Sequence, residues 1–92
     1  MSEKKYETFI YFMQCYFCQT YYWSELKNQV KEYRSRETAS YCLKLKKELI
    51  MMRETHTWEV INRFISKNTD RRLGNEENVN HLIDTILGGL SN

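Results

Sequence analysis

Proline is absent from this chain of 92 residues, and glycine occurs only three times, at Gly74, Gly88 and Gly89. Both residues interrupt helices, so their near absence before residue 74 predicts an all-helical fold. No apolar run approaches the roughly 20 residues that a membrane span requires. The charged residues 1–5 are not followed by a uniform apolar segment, so a signal peptide is not expected. Cysteine occurs three times, at Cys15, Cys18 and Cys42. An odd count argues against a secreted disulfide framework and for a reduced, cytoplasmic protein. Nor does either sign of charge dominate: 14 basic and 12 acidic residues leave a net charge of +2. That balance argues against binding nucleic acid through charge alone.

Catalytic signatures are equally scarce. The sequence has no Ser-His-Asp pattern, no phosphate-cradling glycine loop and no metal-hydrolase helix motif. Cys15-Tyr16-Phe17-Cys18 is a C-x-x-C, but zinc needs four ligands and no second pair follows. The pair also lies late in an expected helix, not at the helix N-terminus that would activate a thiol. His81 precedes Asp84 by three residues and can share a helix face with it, a pairing more typical of a solvated surface than of acid–base chemistry. An enzyme, a metal site and a cofactor are therefore not expected.

What is abundant is aromatic. Nine of the 13 aromatic residues fall between Tyr6 and Trp23. Tyr6, Phe9, Ile10, Met13, Tyr16 and Phe17 follow the spacing of an amphipathic helix over residues 5–19, with Tyr11, Phe12 and Cys15 widening its apolar stripe. Ser24 is placed to cap a second helix, with Glu25 in its first turn and Leu26, Val30 and Tyr33 on one face. That helix should end near residues 34–36. Ser35 or Thr38 can cap a third, whose stripe reads Ala39, Cys42, Leu43, Leu45, Leu49, Ile50 and Met52. On it Glu48 can pair weakly with Lys44. Thr55 or Thr57 starts a fourth helix burying Trp58, Ile61, Phe64 and Ile65. Residues 67–75 read as the longest loop. Asn75 or Asn78 starts a fifth helix with Val79, Leu82, Ile83, Ile86 and Leu87 buried, stopped by Gly88 and Gly89. The expected architecture is one compact all-α domain of about five helices spanning residues 1–92.

Phe9, Phe12, Phe17 and Trp58 are the expected aromatic core. Tyr21, Tyr22 and Trp23 are consecutive and cannot all point inward from one helix face. Tyrosine and tryptophan dominate interface hot spots because they join a large apolar area to a polar tip. A protein-binding surface near the first interhelical turn follows, carried by Tyr21, Tyr22, Trp23, Glu25 and Glu32. Two rival readings stand beside it. One is a nucleic-acid-binding regulator, with the aromatics stacking on bases, Lys27, Lys31 and Arg34 beside them and Arg71 and Arg72 clamping phosphate; Glu25 and Glu32 on the same helix oppose it. The other is a helical homodimer with no inhibitory role.

The segment Tyr16-Phe17-Cys18-Gln19-Thr20-Tyr21 resembles the Tyr-Phe-His-Gln-Asp-Trp signature of small immunity proteins from bacterial contact-dependent growth inhibition systems. Tyr16, Phe17 and Gln19 match, whereas Cys18, Thr20 and Tyr21 stand where His, Asp and Trp are usual. A Leu-rich helix around residues 43–52, then helices containing Trp58 and Leu82-Ile83, follow the family pattern. The resemblance implies a cytoplasmic, non-enzymatic inhibitor that binds the C-terminal toxin domain delivered by a neighbouring cell, often a basic nuclease. Since the +2 charge supplies no overall acidic field, acidic residues would act locally, with Glu25, Glu32, Glu37 and Glu54 as candidates.

Overall fold

The computed structural model describes residues 1–18 and 21–91. Five α-helices appear in the expected order: α1 (Glu7–Cys15), α2 (Leu26–Arg36), α3 (Ala39–Thr55), α4 (Trp58–Asn68) and α5 (Glu76–Ser91), with a short 3-10 turn at Trp23–Glu25 before α2. No strand occurs among the described residues. No helix among them is long and apolar enough to cross a membrane.

Several boundaries differ from expectation for identifiable reasons. α1 stops at Cys15, and the backbone N–H groups of Tyr16 and Phe17 both donate to the Phe12 carbonyl, at 2.9 and 3.0 Å, which closes the helix early. The expected continuation of the helix through residues 16–18 does not form, and Gln19 lies outside the described residues. Ser24 does not cap α2 but sits within the 3-10 turn, where the Glu25 carboxylate accepts the Tyr22 N–H at 2.8 Å. Thr38 caps α3, its hydroxyl accepting the Tyr41 N–H at 3.4 Å. Asn75 accepts the Asn78 N–H at 2.8 Å and opens α5.

The connection to α5 is residues 69–75 and is less purely polar in role than in composition. Leu73 is buried, and Asn62 accepts its N–H at 3.2 Å. Gly74 adopts φ +82°, the left-handed region that glycine enters at least cost.

Gly88 and Gly89 do not stop α5. The helix passes through both to Ser91, and Leu90 packs against the core from within it. A Cβ on Gly89 would lie 2.4 Å from Val30 Cγ1, so glycine here permits the close crossing of α5 over α2. Tertiary packing overrides the tendency of glycine to end a helix.

One core cluster takes residues from every helix. Phe9, Phe12, Met13 and Phe17 pack with Leu26, Val30, Tyr33, Leu45, Leu49, Met52, Ile61, Ile65, Leu82 and Ile83. Phe9, Phe12 and Phe17 are fully buried as expected, whereas Trp58 is half-buried at the core edge. The buried face of α3 is narrower than its apolar stripe. Leu45, Leu49 and Met52 form the buried face, and Ala39, Leu43 and Ile50 are exposed. At 3.6 residues per turn those three point away from the Leu45–Leu49–Met52 side.

Candidate functional site

Residues Tyr21 to Glu25 come together in the turn between α1 and α2. Tyr22 is the most exposed large hydrophobic side chain described, at 77%. Its backbone is held by the Glu25 carboxylate on one side and by the Glu25 N–H, which donates to the Tyr22 carbonyl at 2.9 Å, on the other. Trp23 is half-buried, its ring 5.8 Å from Phe17 and 5.2 Å from the His81 ring.

Arg71 fixes this turn from the far side of the sequence. Its guanidinium Nη2 donates to the carbonyls of Cys18 at 2.5 Å and Tyr21 at 2.7 Å, and the group stacks 3.8 Å from the centre of the Phe17 ring. Burial lowers its pKa, as expected for a cation withdrawn from water. Arg71 is thus committed to main-chain carbonyls and an aromatic face, not presented for the phosphate contact considered above. The sequence carried no signal for this role, since the partners lie 50 and 53 residues away.

Tyr21 and Glu32 line a shallow recess of about 230 Å³ together with Tyr11, Tyr16, Gln29 and Arg36. Glu32 pairs with Arg36 at 2.7 Å one turn along α2. Both side chains are well solvated, so the pair adds little stability.

Glu37, at the C-terminus of α2, has a different task. One carboxylate oxygen accepts the Tyr11 hydroxyl at 2.9 Å and the Tyr16 hydroxyl at 2.5 Å. Burial, and then the bond to Glu37, push the Tyr16 phenol well above its usual pKa, and the Glu37 bond also raises that of Tyr11. Burial likewise raises Tyr33, whose hydroxyl donates to the Tyr41 carbonyl at 3.0 Å. Around these groups Tyr16 meets Tyr33 edge-on at 5.1 Å. A second recess of about 490 Å³, lined by Glu7, Thr8, Tyr11, Glu37, Tyr41 and Lys44, opens beside this network. Lys44 lies 5.3 Å from the Tyr41 ring centre, in place of the weak pair with Glu48 expected from local spacing. Glu54 is exposed near the C-terminal end of α3, about 22 Å along that helix from Ala39 at its start, at 1.5 Å per residue.

The histidines lie beside aromatic rings, His56 half-buried and His81 exposed. His56 lies 6.0 Å edge-on from Tyr6, and His81 lies beside Trp23. Asp84, disfavoured from the sequence as an acid–base partner of His81, pairs with Arg53 at 2.5 Å. Among the described residues no group of three or more His, Cys, Asp and Glu side chains could hold a metal ion.

The expected surface therefore divides. Tyr21, Tyr22, Trp23 and Glu25 form one turn, Glu32 adjoins it through a recess, Glu37 anchors tyrosine hydroxyls, and Glu54 belongs to α3. Sequence reasoning missed Tyr11 and Tyr41, which rim the larger recess, and Leu43, Ile50 and Met51, which are exposed on α3. The available signal was the number of apolar residues on α3, too many for one buried face. No family model, no curated protein and no solved structure matches this chain.

Proposed function

We propose that this chain is a non-enzymatic immunity protein that binds and neutralises a cognate toxin domain in the cytoplasm. The observation that carries the binding half of this reading is Tyr22. Its ring is 77% exposed, while its backbone is held by Glu25 and the adjoining turn by Arg71. A large aromatic on a pre-ordered support loses little entropy on docking, which is what an interface anchor requires. Trp23 beside it, and the acidic Glu25 and Glu32, would complete the contact. The toxin half rests on the resemblance of residues 16–21 to the immunity signature.

The nucleic-acid alternative loses one of its five proposed cations, because Arg71 is bonded to Cys18 and Tyr21. Co-expression with the toxin domain encoded beside this gene tests the proposal. A stoichiometric complex that survives about 0.5 M salt, where surface charge is screened, is expected. Tyr22→Ala should weaken it by about 2–4 kcal/mol with the melting temperature unchanged. Absence of a complex, or a loss below about 0.5 kcal/mol for both Tyr22→Ala and Trp23→Ala, would reject the reading or the placement respectively.

A further inference from the structure

The outer face of α3 carries a feature that the toxin-binding turn does not use. Leu43, Lys47, Ile50 and Glu54 are spaced by four, three and four residues, which sets them in one stripe within about 60° of arc. All four are exposed, Leu43 at 52% and Ile50 at 39%. Met51, at 37%, and Lys44 flank the stripe on one side. Three of the six large hydrophobic side chains exposed on the described surface therefore belong to this one helix face. Isolated exposed apolar residues are ordinary, but three on one straight face form a patch.

Its charges identify what fits. Lysines occupy the N-terminal half of the stripe and Glu54 the C-terminal end, with Ile50 between. A second α3 laid antiparallel about a twofold axis through Ile50 brings Ile50 onto Ile50 and Met51 alongside. Glu54, four residues beyond the axis, then faces the position four residues before it on the other copy, between Lys44 and Lys47. The same contact repeats on the other side of the axis, which is the requirement of an isologous interface. A parallel arrangement would instead set lysine against lysine.

We propose that the chain self-associates as a twofold dimer through antiparallel packing of α3 on α3, sealed by reciprocal Glu54 contacts with Lys44 and Lys47. A single helix face buries little area, so the dimer is weak and reversible. The proposal is independent of toxin binding, which uses the α1–α2 turn.

Sedimentation equilibrium of the full chain tests it, from about 5 μM to about 1 mM at about 50 mM salt. The mass is expected to rise with concentration from 11.3 kDa toward twice that value. Ile50→Lys should hold the chain monomeric throughout. Glu54→Lys alone, and Lys44→Glu with Lys47→Glu, should each raise the dissociation constant about tenfold, and all three together should restore it to within about threefold. Circular dichroism melts confirm that the variants fold; if Ile50→Lys does not, Ile50→Ser replaces it. Tyr22→Ala should leave the mass profile unchanged. A mass of 11.3 kDa at every concentration, a dimer indifferent to Ile50, or no recovery in the combined charge reversal would each overturn the proposal.

Discussion

Glu48 caps a helix other than its own. α1 has no side-chain cap from its preceding residue, and the N–H of buried Phe9 in its first turn donates at 2.9 Å to the Glu48 carboxylate from α3. The carboxylate is half-buried, and burial raises its pKa above 4.5 against the opposing pull of its bonds to Phe9 and Thr8. A carboxyl whose folded pKa is raised binds its proton more tightly in the native state. Its contribution to stability therefore grows as pH falls through the raised pKa toward 4.5, and at neutral pH it carries the burial penalty. Glu48→Gln keeps an acceptor for Phe9 and removes the titration. The gain in melting temperature between pH 7 and about pH 5 should shrink relative to wild type, with stability at pH 7 equal or higher. Glu48→Ala removes the acceptor and should cost about 1 kcal/mol, read as a fall of about 4–8 °C in a domain of this size. The sequence showed Glu48 only as a neighbour of Lys44, because helical spacing reports contacts within four residues and Phe9 lies 39 residues away.

At the scale of elements, the pair Gly88-Gly89 separates two uses of glycine. Both lie inside α5, where glycine is less favourable than alanine. Nothing lies within 4 Å of a Cβ built on Gly88, so Gly88→Ala should stabilise the protein by about 0.5–1 kcal/mol through the unfolded chain and the helix propensity. A Cβ on Gly89 meets Val30 Cγ1 at 2.4 Å and Cβ at 3.1 Å, the β-branched body of a fully buried side chain. α5 must then lift from α2, and Gly89→Ala should cost about 1–3 kcal/mol. Urea unfolding of the two variants checks the opposite signs, and equal midpoints would refute the close-crossing role. The five helices themselves were legible because proline is absent and apolar residues recur at three and four. Helix ends were less so. Gly88 and Gly89 look like a stop in one dimension, and only the position of Val30 makes one of them a packing residue. α3 was misjudged for a related reason: with apolar residues around most of its circumference, periodicity does not say which side its neighbours cover.

Across the whole molecule, Arg71 is the residue that joins fold to site. It belongs to the connection between α4 and α5, yet its guanidinium bonds carbonyls at the end of the α1 segment and at Tyr21, and covers Phe17. The surface aromatics of the turn were legible from their excess over what one buried face can hold. The group that positions them was not, because an arginine in a polar loop has the same sequence signature whether it meets phosphate, solvent or a distant carbonyl. Arg71→Ala leaves the Cys18 and Tyr21 carbonyls without this charged donor and removes the cover from Phe17. A hydrogen bond to a charged group contributes about 1.5–3 kcal/mol, so the melting temperature should fall by about 10 °C. Arg71→Lys keeps the charge but loses the planar fork and the stacking, and should recover less than half of that loss. On the proposed function, the same two variants should weaken the toxin complex in the same order, measured well below the melting transition, because the turn that supports Tyr22 loses its anchor. Tyr22→Ala should reverse the pattern, with binding lost and stability kept. Stability falling in Arg71→Ala while toxin affinity stayed at the wild-type value would show that the turn holds its shape without the guanidinium, and would separate the binding surface from the clamp.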